Sequence, residues 1–155
     1  MGNEIELGSG SRLNQPGGLL SDTLNINVRF SDLDAMGHVN NARYLTYFEE
    51  GRAAWFHRFA DLPTDSFDYP VIVARIEIDY LEPISLGCEL KVETTCVRLG
   101  TKSLDFHGSI SICGEPDRLA SRYKAVMVWY DYGLGQSVPI PENIRRQFSS
   151  ELQKG

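Results

Sequence analysis

Two acids one residue apart, Asp32 and Asp34, open the stretch of this chain with the most chemical potential. Gly37, His38, Asn40 and Asn41 follow within a few residues, and the chain then runs into a segment patterned as a helix. A carboxylate just ahead of a helix has both a base and a set of unbonded backbone N–H groups within reach. Acyl transfer needs that pairing, because a developing oxyanion wants donors and an attacking water wants a base. The competing reading is structural: a short acid ahead of a helix commonly holds a turn by bonding its own backbone. His57 and His107 have no acid or serine partner placed by the sequence.

The helix that must position these groups is written in its apolar spacing. Asn40 or Asn41 can cap it, since a short amide oxygen accepts from N–H groups two or three residues on. Tyr44, Leu45, Phe48, Trp55, Phe56 and Phe59 then recur at spacings of three and four, one side of a helix. Gly51 and Arg52 fall inside the same apolar arc. Glycine costs about 1 kcal/mol relative to alanine in a helix, so a close backbone approach is expected at Gly51. A charge on a buried face calls for a partner, and Glu49 is the nearest candidate for Arg52.

Strands account for most of the remainder. Leu24 to Phe30 alternates and should deliver the chain to the acidic turn. Ala60 to Tyr69 has the composition of a connecting loop. Ile72, Ala74, Ile76, Ile78 and Tyr80 share one face of a strand that ends at Leu81-Glu82-Pro83. Leu90, Val92 and Cys96 alternate with Glu89, Lys91 and Glu93, and Leu99-Gly100-Thr101-Lys102 makes a tight turn. Leu104, Phe106, Ile110 and Ile112 oppose Asp105, His107, Ser109 and Ser111. Glu115-Pro116-Asp117 turns the chain again, and Ala125 to Trp129 is apolar on both faces, as in a strand covered on both sides. Pro141 can open a short terminal helix. Short connections between strands imply an antiparallel sheet, and with one long helix laid on it the fold class is α+β.

With 155 residues, 42% of them hydrophobic and 23% charged, the chain suits a single globular domain with a real core. Residues 1–21, rich in Gly, Ser, Asn and Pro, read as a flexible tail, and 22–155 as the domain. A net charge of −6 argues against general affinity for nucleic acid or an anionic membrane. Cys88, Cys96 and Cys113 are odd in number and lack metal spacing, which suits free thiols in a reducing compartment. No apolar run approaches a membrane span or a signal-peptide core, so the expected location is cytoplasmic.

From Arg29-Phe30-Ser31-Asp32-Leu33-Asp34-Ala35-Met36-Gly37-His38-Val39-Asn40-Asn41 through Tyr44, Tyr47, Glu49 and Arg52, the chain resembles hotdog-fold acyl-CoA thioesterases of the 4-hydroxybenzoyl-CoA thioesterase-like family. Ile78-Asp79-Tyr80-Leu81-Glu82-Pro83-Ile84 and Leu99-Gly100-Thr101-Lys102-Ser103 fit that family's layout. The resemblance implies a five-stranded antiparallel sheet wrapped around one long central helix. It implies hydrolysis of an acyl- or aryl-CoA by a homodimer, or a dimer of dimers, with sites at the subunit boundary. Asp34 would be the base or nucleophile, and the backbone N–H nearest Asn41 would polarise the carbonyl. His38 would orient a water or Asp34, or else be an ordinary loop histidine. Gly37, Asn40 and Tyr44 would line the substrate site, while Arg98, Lys102 and Ser103 would either grip coenzyme A phosphates or carry solvated turn groups. No metal or redox cofactor is implied, and coenzyme A is part of the substrate. The alternatives are a non-catalytic acyl-CoA or acyl-carrier-binding module on the same scaffold, and a hotdog dehydratase. The acid-rich turn argues against the dehydratase.

Overall fold

The alternation of apolar and polar residues makes five long strands, and the single apolar arc makes one long helix. In the computed structural model, residues 5–6, 20–62 and 70–153 are described. The strands are β1 (Ile5–Glu6), β2 (Ser21–Asn27), β3 (Val71–Tyr80), β4 (Glu89–Leu99), β5 (Ser103–Ile112), β6 (Arg118–Asp131) and β7 (Gln136–Ser137). The helices are α1 (Asn41–Ala60) and α2 (Glu142–Gln153). All strand pairs are antiparallel, in the order β1-β4-β5-β6-β3, with β2 also on β4 and β7 on β6. The architecture is α+β, as the pattern implied. Of the segment read as a tail, Ile5–Glu6 pairs with Arg98–Leu99, and β2 begins at Ser21. The rest of that segment, and most of the 60–69 connection, lies outside the described residues.

Helix α1 packs on β2, β4 and α2, and the core lies between the helix and the sheet. Trp55 is its centre: fully buried, it meets Phe56, Phe59, Phe106 and Phe148 at ring-centroid distances of 5.3, 5.2, 4.8 and 5.2 Å. Its indole N–H donates to the Leu20 carbonyl at 2.7 Å, so this large apolar side chain leaves no polar atom unsatisfied. Gly51 gives α1 its close approach. A Cβ there would lie 2.7 Å from Thr94 Oγ1 and 2.9 Å from Val92 Cγ1. The helix ends at Asp61, in left-handed conformation with φ of 51°, whose N–H bonds the Phe56 carbonyl.

Three expectations are corrected. The first strand starts earlier than Leu24 and stops at Asn27, and Phe30 sits 81% exposed in a 3-10 turn spanning Phe30–Asp32. Strand β3 does not keep one face, because its register on β6 shifts between Val73 and Arg75. Val71 is therefore buried on one side of the bulge, whereas Ile76 and Ile78 point to the core on the other. Arg52 is buried as its place on the wheel required, but Glu49 is exposed and does not pair with it. Cys96 is buried, which pushes its thiol up to about 12, while Cys88 and Cys113 are half-buried; all three are free.

Candidate active site

The acidic loop folds onto the start of α1 through its own hydrogen bonds. Asp32 anchors it. Its side chain is 1% exposed, and Oδ2 accepts from the Arg29 N–H at 3.0 Å, Arg29 Nε at 3.2 Å and the Tyr47 hydroxyl at 2.8 Å. Arg43 Nε lies 3.7 Å from Oδ1. Burial pushes the Asp32 carboxyl up, but the Arg29 N–H, the Tyr47 hydroxyl and the Arg29 guanidinium outweigh it and hold it below the usual range. Burial, together with the bond to Asp32, drives the Tyr47 hydroxyl well above its ordinary value. These contacts describe a structural role for Asp32, holding the loop to α1.

Asp34, half-buried, does two things at once. Its Oδ1 accepts from the N–H groups of Met36 at 2.8 Å and His38 at 3.3 Å. Its own N–H donates to the His38 carbonyl at 2.8 Å, and Gly37 N–H donates to the Asp34 carbonyl at 3.1 Å. The loop turns at Gly37, whose φ of +80° suits glycine, with nothing within 4 Å of where a Cβ would stand. Asp34 Oδ2 takes no hydrogen bond from any described residue, so one oxygen builds the turn and the other is available. His38 is exposed, and its backbone bridges to Ser85.

The first turn of α1 completes the arrangement. Asn40, not Asn41, is the cap: its side chain accepts from Ala42 N–H at 2.9 Å, and its carbonyl accepts from Arg43 N–H at 2.8 Å. Asn40 N–H itself donates to the Asp32 carbonyl at 2.8 Å, which ties the acidic loop to the helix. The Asn41 N–H is the one left without a partner among the described residues. It points from a helix N-terminus, where the dipole favours negative charge. Two hydrogen bonds from residues given no role in the sequence reading fix this end of the helix. Tyr80 donates its hydroxyl to the Asn41 carbonyl at 3.2 Å and stacks edge-on with Tyr44 at 5.0 Å. Val39 N–H donates to the Ile84 carbonyl at 2.8 Å. Tyr44 is buried, with its hydroxyl 3.4 Å from the Glu82 carbonyl, and burial pushes that hydroxyl up. The sequence signal for Tyr80 was its place at the end of the strand preceding Leu81-Glu82-Pro83.

Asp34, Gly37, His38, Asn40, Asn41 and Tyr44 are thus gathered at one end of the sheet. Arg98, Lys102 and Ser103 are not. They stand at the β4–β5 turn, and the ten residues of β5 separate that turn from the other end, a span of about 30 Å. There Arg98 lies 3.5 Å from Asp105, Lys102 Nζ donates to the Ser137 carbonyl at 3.0 Å, and Gly100 N–H donates to the Ser103 carbonyl at 2.8 Å. Among the described residues no three His, Cys, Asp or Glu side chains gather as a metal ion would require.

The model of the thioesterase-like superfamily matches residues 28–148. The chain belongs to that superfamily. The match runs from just before the acidic turn into α2, so it takes in the site and the helix that positions it. Among solved structures, a predicted thioesterase from Bacillus stearothermophilus is 30% identical, with a TM-score of 0.75, covering 85% of this chain and 96% of that one. A thioesterase from Thermus thermophilus, solved with coenzyme A and zinc, is 36% identical with a TM-score of 0.73, covering 86% and 95%. The uncharacterized protein YsmA of Bacillus subtilis (strain 168) is 32% identical over 82 residues, 53% of this chain and 55% of that protein. The chain thus matches about half the length of that relative. These superfamily relatives establish the hotdog fold, with the sheet around α1. A 4-hydroxybenzoyl-CoA thioesterase mutant solved with 4-hydroxybenzoyl-CoA, 17% identical with a TM-score of 0.73, shares that fold.

Proposed function

We propose that this superfamily member hydrolyses the thioester of an acyl-CoA to the free acid and coenzyme A. The observation that carries the reading is that Asp34 Oδ2 and the Asn41 N–H are both left without a partner among the described residues, in the loop and first turn of one helix start. The carbonyl oxygen would lie toward the Asn41 N–H, where a donor and the helix dipole stabilise the charge that develops during attack. Asp34 Oδ2 then either takes a proton from the attacking water or attacks the carbonyl carbon itself. In both routes a C–O bond forms, the C–S bond breaks, and coenzyme A leaves as a thiolate that takes up a proton; in the second route water then hydrolyses the acyl–Asp34 anhydride, releasing the acid and restoring the carboxylate. Tyr80 and Tyr44 wall the helix start and limit the acyl groups that fit beside it.

The coenzyme A bound to the Thermus thermophilus relative supports the same leaving group here. Arg98, Lys102 and Ser103, at the far end of the sheet, reach the acidic loop only from a second subunit, which favours a homodimer or a dimer of dimers. The free edge of β3 suits self-association: among the described residues its only strand partner is β6, and it exposes Val73 and Tyr80. The non-catalytic binding module is less well supported, because binding alone needs no carboxylate oxygen held ready beside a donor.

The test is thiol release from short, long and aromatic acyl-CoAs, followed colorimetrically. Repeated turnover on at least one of them is expected; tight binding without release would favour the non-catalytic module. Single turnover in H₂¹⁸O can identify the anhydride route. ¹⁸O on Asp34 shows nucleophilic attack followed by hydrolysis at the Asp34 carboxyl carbon, whereas base catalysis places all of it in the first-formed acid.

A further inference from the structure

Strand β3 sorts its side chains by chemistry. Its register on β6 sets Arg75 opposite Val126, Glu77 opposite Lys124 and Asp79 opposite Arg122, so every charge on the strand stands on the outer face of the sheet. Ile76, Ile78 and Tyr80 stand opposite Ala125, Tyr123 and Ser121, on the inner face that carries the core. Helix α1 packs on β2, β4 and α2, whereas β3 is at the other end of the strand order. The inner row of β3 is therefore left open: Ile76 and Ile78 are half-buried and Tyr80 is 48% exposed.

That row begins at the helix start. Tyr80 donates its hydroxyl to the Asn41 carbonyl at 3.2 Å, and its ring meets that of Tyr44 at 5.0 Å. The Tyr44 hydroxyl is turned to the Glu82 carbonyl at 3.4 Å, so both phenols are engaged by backbone and offer only their rings. Leu45, one turn on from Asn41 and 37% exposed, adds an apolar side chain on the same face of α1. From Tyr80 to Ile76 the row runs about 13 Å along the strand. It ends there, because the register shifts between Val73 and Arg75 and a bulge bends the strand. Carbon–carbon bonds of about 1.5 Å at angles near 111° advance about 1.25 Å per carbon, so the row matches an extended chain of about ten carbons.

We propose that Tyr80, Ile78 and Ile76 hold the acyl chain of the substrate, and that the substrate class is unbranched acyl-CoAs of about ten carbons. The assignment rests on the thioesterase reading of the helix start. A second copy at the free edge of β3 would pair with the backbone of that strand, in the plane of the sheet, and leave the row facing inward. The test is calorimetric binding of S-alkyl-CoA thioethers from ethyl to hexadecyl. Affinity should rise by up to about fourfold per methylene, the worth of a buried CH₂, as far as the decyl compound and level off beyond it. Ile76→Trp should move the break to shorter chains, and S-benzyl-CoA should bind more weakly than S-decyl-CoA. Affinity that is flat across the series, or that climbs steadily through hexadecyl, overturns the proposal, as does tighter binding of the benzyl compound. Thioethers lack the carbonyl and are not hydrolysed, so these outcomes do not depend on turnover. Failure of every thioether to bind would instead overturn the acyl-CoA reading on which the proposal rests. Should Ile76→Trp fail to fold, the series on the unmodified protein still decides.

Discussion

At Asp34 the structural and chemical readings turn out to be compatible. Oδ1 holds the turn through Met36 and His38, and Oδ2 takes no hydrogen bond from any described residue, as the proposed chemistry requires. Asp32 is different, since its Oδ2 is fully engaged by Arg29 and Tyr47. Hydrogen bonds to a charged group are worth about 1.5–3 kcal/mol, so Tyr47→Phe should lower stability by that order in chemical denaturation. Asp32→Asn should do likewise, with a pH signature. The folded Asp32 carboxyl lies below its ordinary value. Its contribution is therefore present above the unfolded value of about 3.9 and is lost as pH falls through the folded one. Melting from pH 7 to pH 3 should show the wild-type advantage over Asp32→Asn intact at neutrality and shrinking below about pH 4. An advantage that stays constant across that range would mean the charge on Asp32 contributes nothing. The two acids stood out by their spacing and the resemblance put the chemistry on the second, but the contact that engages the first was not legible. It depends on Tyr47, which reaches back fifteen residues to close over Asp32.

At the scale of elements, the start of α1 is set by Asn40, and its loss should be measurable. Asn40→Ala removes the acceptor of the Ala42 N–H and should cost about 1 kcal/mol, roughly 2–4 °C in melting temperature for a chain of this size. Asn40→Asp should restore it. Gly51→Ala sets two effects against each other. Helix propensity gains about 1 kcal/mol, whereas forcing a methyl group against Thr94 and Val92 costs about 1–3 kcal/mol. The clash should win, and a higher melting temperature for Gly51→Ala would show that α1 lifts freely from the sheet. The helix, its buried Gly51 and the alternation of β4 and β5 could all be read in advance, because one face of each is apolar at a regular period. The bulge in β3 could not. An extra residue is invisible to a period-two pattern that both sides of the bulge satisfy locally. Val126 and Val128, read as covered, are only half-buried in this chain, so what covers that face of β6 is not encoded in a local pattern.

In the whole molecule the acidic loop and the Arg98–Lys102 turn occupy opposite ends of the sheet. From the sequence, that turn either grips coenzyme A phosphates or carries solvated turn groups, and the first is compatible with this fold only if copies associate. Sedimentation at micromolar concentration should therefore show a dimer or larger, and a fully active monomer would contradict the shared site. The partnership proposed within each site can be tested without knowing the assembly. Asparagine at position 34 keeps an oxygen able to accept from Met36 and His38, so Asp34→Asn should fold and melt like the wild type. An amide neither takes a proton nor attacks a thioester, and losing a general base typically costs ~10²–10⁴ in rate, roughly 2.7–5.5 kcal/mol of barrier. The decisive measurement is kcat for the best acyl-CoA substrate with folded Asp34→Asn protein. A fall of at least a hundredfold at unchanged melting temperature is predicted, and near-normal turnover would contradict the assignment of the chemistry to Asp34.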